Sequence, residues 1–294
     1  GATDGPVSWT LLTTTSAGTS TYTDQSFTAR RGVYYRIRAT DGTYFSDYVT
    51  PTQKMVSTPS AYRGGITVQV GPGKANAVLT DALIDALGPG DTLEVYWDGV
   101  TPLLLKILLS SCGTAGHPIT FKGIDHANGT RPAINGNGAI AVGGAAAADV
   151  DIYFILGVLP KIADISGYKP DHWIIAGFEI YNCRPEHTYT PYGAGSPIAY
   201  DPVNAFAACI YVKNALNVDV DDCYLHDGPN CIRQGSGKSE RNYSGRMRVT
   251  NCTLDQWGHT QDGIDQRHGL YLDGHNIEVK NNVFLSGWIN GAVK

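Results

Sequence analysis

Hydrophobic and polar residues alternate with a period of two along the first part of the chain. The pattern runs through Trp9-Thr-Leu-Leu, Thr21-Tyr-Thr-Asp, Val33-Tyr-Tyr-Arg-Ile-Arg-Ala and Tyr44-Phe-Ser-Asp-Tyr-Val. Side chains of an extended strand point alternately to its two faces, so residues 1–50 read as short antiparallel strands. Residues 51–65 are rich in Pro, Ser, Thr and Gly and read as a linker. Then Ile66-Thr-Val-Gln-Val predicts a strand. Ala75 to Leu87 predicts a short amphipathic helix, with Leu79, Leu83, Ile84 and Leu87 on one face. Gly88-Pro-Gly-Asp turns into a further strand, Thr92-Leu-Glu-Val-Tyr-Trp.

The remaining chain repeats. Trp173-Ile-Ile-Ala-Gly-Phe-Glu-Ile, Val218-Asp-Val-Asp-Asp-Cys-Tyr-Leu, Met247-Arg-Val-Thr-Asn-Cys-Thr-Leu and Ile277-Glu-Val-Lys-Asn-Asn-Val-Phe align without gaps. Each reads as an alternating strand, a turn, and a second strand. Cys209-Ile-Tyr-Val, Cys231-Ile-Arg-Gln, Gly269-Leu-Tyr-Leu and Gly291-Ala-Val-Lys form another aligned set; Cys209 and Cys231 lie 22 residues apart, as do Gly269 and Gly291. A unit this short cannot bury its own apolar face and must stack on copies of itself, which places parallel strands ~4.8 Å apart. The turn column Gly177, Asp222, Asn251, Asn281 suits left-handed backbone and side-chain ladders along the stack. Behind it Phe178, Cys223, Cys252 and Asn282 should point inward, as should Cys209 over Cys231. Cysteines in such columns are expected to be small buried core residues that stay reduced.

Two resemblances follow from these residues. Over about 45 residues, the strands before Thr50 resemble the second half of a fibronectin type III module, which implies a β-sandwich. The helix followed by Pro89-Gly-Asp-Thr-Leu, then Gly113-Thr-Ala-Gly-His-Pro-Ile-Thr-Phe-Lys-Gly and Arg131-Pro-Ala-Ile-Asn-Gly, resemble the opening of pectate-lyase-like right-handed parallel β-helices. That resemblance implies that the helix plugs the first coil. From Tyr168 onward the chain is similar to secreted right-handed β-helix repeat proteins, on His172-Trp-Ile-Ile-Ala-Gly-Phe-Glu-Ile-Tyr-Asn and Leu225-His-Asp-Gly-Pro-Asn; no signature of pectate lyases or polygalacturonases is found there. The expected fold is thus all-β, with a β-helix over 66–294. The superfamily spans lyases, hydrolases and epimerases as well as tailspikes, adhesins and surface-layer proteins, so it implies a glycan more than a reaction.

Composition narrows the partners. Charged residues are 17% and the formal net charge is −5, which gives no cationic surface for nucleic acid or an acidic membrane. No apolar run nears the ~20 residues that span a bilayer. The six Cys show no zinc-site spacing. A secreted or cell-surface location is expected. The chain reads as beginning inside one module and ending in mid-coil, so that self-assembly or further chain is expected to cover the last coil's edge.

Insertions locate the candidate site. Long segments, Asn182 to Ala208 and Asp255 to His268, interrupt one corner on two coils, while the coil between turns it in His226-Asp-Gly-Pro-Asn230. Two tall loops around a low one make a cleft floored by Tyr211, Arg233 and Tyr271. Tyr rings stack on sugars and Arg forks a carboxylate, which suits an acidic glycan. Around it stand Glu186, His187, His226, Asp227, Asp262, Asp265, Arg267 and His268. A lyase needs a base for a proton beside the uronate carboxylate and a cation to neutralise that carboxylate; a hydrolase needs two carboxylates. His226 or His268 is the candidate base and Arg233 the carboxylate partner. Tyr211, Tyr271, Asp227 and Arg267 are candidate substrate ligands, and Asp262 with Asp265 a candidate Ca²⁺ pair. The structural alternatives are a turn-forming Asp227, a solvated loop at 262–265, histidines that only anchor loops, and tyrosines placed by strand preference. Two functions remain open: binding or degradation of an acidic polysaccharide, by a lyase or hydrolase, and a non-catalytic surface, filament or tailspike-like protein.

Overall fold

The computed structural model describes residues 14, 62–136, 140–142, 154–160, 170–183, 207–235, 245–257 and 268–287. Apart from Thr14 these fall in the larger of two compact units, 59–164 with 169–294. The fibronectin-like strands, Glu186, His187, Asp262, Asp265 and Arg267 lie outside the described residues.

The chain opens with β1 (Thr67–Val70), α1 (Asp81–Ala86), β2 (Thr92–Val95) and β3 (Leu105–Leu109). Next come β4 (Ile119–Gly123), β5 (Ala133–Asn135), β6 (Ile140–Val142) and β7 (Phe154–Val158). Three further coils follow: β8 (Asp171–Ala176), β9 (Glu179–Tyr181) and β10 (Ala208–Lys213); β11 (Leu216–Asp221), β12 (Tyr224–Leu225) and β13 (Asn230–Gly235); β14 (Met247–Thr250), β15 (Thr253–Leu254) and β16 (Leu270–Leu272). The last described strands are β17 (Ile277–Lys280) and β18 (Val283–Phe284). They form a seven-stranded sheet ordered β1-β2-β4-β8-β11-β14-β17, a six-stranded sheet ordered β16-β13-β10-β7-β3-β6 and a five-stranded sheet ordered β18-β15-β12-β9-β5. All strand pairs are parallel, and the three coils that begin with β8, β11 and β14 each give one strand to each sheet in turn. This is a parallel β-helix.

The register reproduces the sequence repeat: Trp173 pairs with Val218, Val218 with Met247 and Met247 with Ile277. On the inner face Ile119, Trp173, Val218 and Met247 make one buried column, and Leu93, Phe121, Ile175, Val220 and Val249 another. Phe121 and Phe178 stack with centroids 4.6 Å apart, and the Trp173 indole N–H donates to the Ser111 carbonyl at 2.7 Å. Outward positions carry charges, such as Asp219 beneath Arg248 and Glu278. The turn between the seven- and five-stranded sheets is left-handed at Gly177 (φ 76°), Asp222 (47°), Asn251 (55°) and Asn281 (57°). Asn251 Nδ2 donates to Asp221 at 2.8 Å and Asn281 Nδ2 to Asn251 Oδ1 at 3.4 Å. Glycine takes the rung at 177 because a Cβ there would meet the Gly123 carbonyl oxygen at 2.7 Å.

All six cysteines are free, and all but Cys112 are buried. Cys223 and Cys252 sit in the column behind the turn, while Asn282 there uses its amide as donor to the Val249 carbonyl. Cys183, Cys209 and Cys231 gather at the next corner; burial, foremost, and the adjoining thiol of Cys209 push the Cys183 thiol well above its usual value.

The helix is shorter than its hydrophobic period predicts. Thr80 caps it by accepting from the Leu83 N–H at 3.3 Å. Upstream, Gly71 and Gly73 have φ of 132° and 71°, and the Asn76 amide donates to the Gln69 carbonyl. These turn interactions tie 71–76 back to β1 and pre-empt the first helical turns. Ile84 and Leu87 are buried in the same core as Leu93 and Val95.

Candidate functional site

The corner between the five- and six-stranded sheets carries most of the chemistry. Ile180, Leu225 and Leu254 are buried in the core. Strand alternation therefore turns their neighbours outward: Glu179 and Tyr181, Tyr224 and His226, Thr253 and Asp255. Glu179 lies in register with Tyr224, and the His226 N–H donates to the Ile180 carbonyl, so the imidazole comes one coil above Tyr181. Its ring stacks on Tyr181 (centroids 5.0 Å, interplanar angle 3°) and on Tyr224 (4.4 Å, 26°).

Both ring nitrogens of His226 meet carboxylates, Nδ1 to Asp227 at 2.9 Å and Nε2 to Glu179 at 3.0 Å. A carboxylate oxygen accepts, so this pair of contacts favours the form of the ring that donates from both nitrogens, the imidazolium. Burial alone opposes that charge, but the hydrogen bonds from Glu179 and Asp227 together outweigh it and raise the pKa. Asp227 is a left-handed turn residue (φ 53°), and its counterparts on the flanking coils, Asn182 and Gln256, are left-handed too (57° and 46°). Turn former and His226 partner are therefore two roles of one residue. One coil on, burial works to raise the Asp255 pKa, but hydrogen bonds from the Ser286 hydroxyl and from the Gln256 and Ser286 N–H groups bring it below its ordinary range.

Past the corner, Tyr211, Arg233 and Tyr271 stand in register on β10, β13 and β16. The Arg233 guanidinium lies 4.3 Å from the Tyr271 ring centroid, and the His268 ring is 5.6 Å from the same centroid, tilted by 34°. The Tyr271 ring is partly exposed, whereas His268 is 5% exposed. Asn230, wholly buried, accepts from the His268 N–H through Oδ1 at 3.0 Å and donates through Nδ2 to the Ala207 carbonyl at 3.0 Å.

The structure thus brings Arg233, Tyr271 and His268 together on the six-stranded face, while His226 and Asp227 belong to the adjoining five-stranded face. Two expectations change. His226 is held at both ring nitrogens by carboxylates, contacts that favour its protonated form over the free base the expectation requires. Tyr211 is 3% exposed: its ring packs with Leu108, Phe154, Leu159 and Ala208 in a small apolar cluster instead of offering a platform to a sugar. Sequence reasoning missed Glu179, Tyr181, Tyr224, Asp255 and Asn230. The signal was present in Glu179-Ile-Tyr, Tyr224-Leu-His and Thr253-Leu-Asp, three aligned triplets with outward polar groups on both sides of a core residue. Among the described residues no group of three or more His, Cys, Asp or Glu is arranged to hold a metal ion, and no helix is long and apolar enough to cross a membrane.

No protein-family model matches the chain, and no curated protein matches it. Among solved structures it is similar in backbone path to an alginate lyase from Paenibacillus sp. (TM-score 0.37, 13% identity, covering 74% of this chain and 76% of that one). It is also similar to the pectate lyase Pel9A (TM-score 0.30, 11% identity, covering 76% and 62%).

Proposed function

We propose that this β-helix is an extracellular protein that takes an acidic polysaccharide against the outer face of the six-stranded sheet and cleaves it as a lyase. The reading is carried by the grouping of Arg233, Tyr271 and His268 on adjacent coils. Arg233 pairs with the uronate carboxylate and lowers the barrier to removing the neighbouring C5 proton; Tyr271 stacks on the sugar ring. His268 takes that proton, the C4–O bond breaks with its electron pair going to the glycosidic oxygen, which is protonated from solvent, and a C4–C5 double bond forms in the new end. A Ca²⁺ ion between Asp262 and Asp265 would add a second neutralising charge.

The test is incubation with a panel of uronate-rich glycans, alginate and pectate among them, with and without Ca²⁺ and chelator. Products with ultraviolet absorbance from the new double bond are expected, and Arg233→Ala should abolish them. New reducing ends without that absorbance would replace the lyase by a hydrolase. Absence of both binding and turnover overturns the glycan reading. A second reading, a non-catalytic surface, filament or tailspike-like protein, is favoured by His226 being held between two carboxylates. Binding without turnover selects it.

A further inference from the structure

We infer that Asn230 is the positioning residue for His268, an inference that rests on the proposed role of the six-stranded face. The argument begins with the hydrogen-bond ladder. Between β13 and β16 backbone pairing starts where the Ile232 N–H donates to the Gly269 carbonyl at 3.1 Å. One step earlier no backbone carbonyl of β13 serves the His268 N–H. The Asn230 side chain does so instead, with Oδ1 accepting at 3.0 Å. A side-chain amide thereby extends the parallel ladder by one rung and fixes the backbone that carries the His268 imidazole.

The other half of the amide points the opposite way along the stack. Asn230 Nδ2 donates to the Ala207 carbonyl, which also accepts from the Asn230 N–H at 3.1 Å. One wholly buried side chain thus bridges the coil before and the coil after. It does so at the two places where the chain returns to the six-stranded sheet. The only other short polar side chains that reach both ways would need the same pairing of acceptor and donor, which Asn supplies and Asp or Ala does not. Asn230 also begins the strand that carries Arg233. The spacing between candidate base and candidate carboxylate partner is therefore set through a single residue.

The donor and acceptor halves can be separated. Asn230→Asp keeps the acceptor for the His268 N–H but sets a second oxygen, in place of the donor, toward the Ala207 carbonyl, which retains the backbone donor. Asn230→Ala loses both. Amide hydrogen exchange on the full chain, read together with nitrogen-15 spectra of the histidine rings, follows His268 without any glycan present. In the unaltered chain the His268 amide is expected to be protected. In Asn230→Ala it should exchange about tenfold faster, as loss of one buried hydrogen bond predicts, and the His268 ring signals should move while those of His226 stay. Asn230→Asp should restore both. If Asn230→Ala fails to fold, the unaltered chain and Asn230→Asp still decide the matter. A His268 amide that exchanges freely in the unaltered chain, or an Asn230→Asp variant whose His268 ring is displaced, overturns the inference.

With an active glycan, Asn230→Ala is expected to lower kcat about tenfold or more with little change in KM, and to move the acidic limb of the pH profile. An unchanged profile in a variant whose His268 amide has lost protection also overturns it. Absence of any glycan activity in the unaltered chain strikes the proposed function alone, because the exchange result stands without substrate.

Discussion

Replacing Glu179 by Gln should make stability depend on pH in a way that exposes the charge state of His226. Glu179→Gln preserves shape but removes one of the two anions that hold the imidazolium, leaving Asp227 alone. A hydrogen bond between charged partners contributes about 1.5–3 kcal/mol. The Glu179 and His226 side chains are 30% and 12% exposed, so solvent screening moves the expectation to the low end, about 1.4 kcal/mol, which corresponds to about one pKa unit. The His226 pKa is raised in the folded chain. Its contribution is therefore fully present below the unfolded value of about 6.5 and is lost as pH rises through the folded value. Urea unfolding at about pH 5.5, below the unfolded histidine value, should show the variant weaker by about that amount, and at about pH 9 the difference should nearly vanish. Nitrogen-15 titration of the ring should place the unaltered His226 above its ordinary midpoint and the variant closer to it. A stability difference that is equal at both pH values, or an unaltered His226 that titrates at or below the ordinary value, refutes the two-carboxylate reading.

Further expectations concern the stack itself. Trp173→Ala removes the largest fully buried side chain among the described residues and the indole donor to the Ser111 carbonyl, so calorimetry should find a loss of about 3–5 kcal/mol or failure to fold. Asn251→Ala places an ordinary side chain at φ 55° and breaks the hydrogen bonds to Asp221 and Asn281; a loss of about 1–3 kcal/mol is expected, with Asn251→Gly closer to the parent because it relieves the backbone part alone. A thiol reagent should modify Cys112 at most in the native chain and all six cysteines after unfolding; rapid native reaction of Cys209 or Cys231 would contradict the buried columns.

The coil stack was legible because its cause is periodic. Gap-free alignment of Trp173, Val218, Met247 and Ile277 is the physical register itself, and the Asn and Asp of the turn column follow from left-handed backbone that those residues tolerate. The helix was overestimated because apolar spacing at Leu79, Leu83 and Leu87 says nothing of Asn76, whose hydrogen bonds compete upstream. At the site, residue types suggested a base in His226, yet its state depends on Glu179, 47 residues earlier in sequence and one coil away. Such contacts are set by stacking. Tyr211 likewise alternates outward as a strand predicts, but Phe154 and Leu108 on the neighbouring coils of that face enclose it.

The position of β6 has a consequence for how the stack is assembled. β6 pairs with β3 on the edge opposite β7, so chain that follows β5 passes back beyond β3 before β7 is laid down. The six-stranded sheet therefore grows from β3 in both directions, with β6 covering one edge before β7 covers the other. For the interval before residues 140–142 emerge, β3 presents an open strand edge, the kind of surface on which other chains can template. Once docked, β6 is a guard supplied from downstream. Slow or defective docking of those three residues would show first as aggregation during synthesis or refolding, well before any loss of native stability.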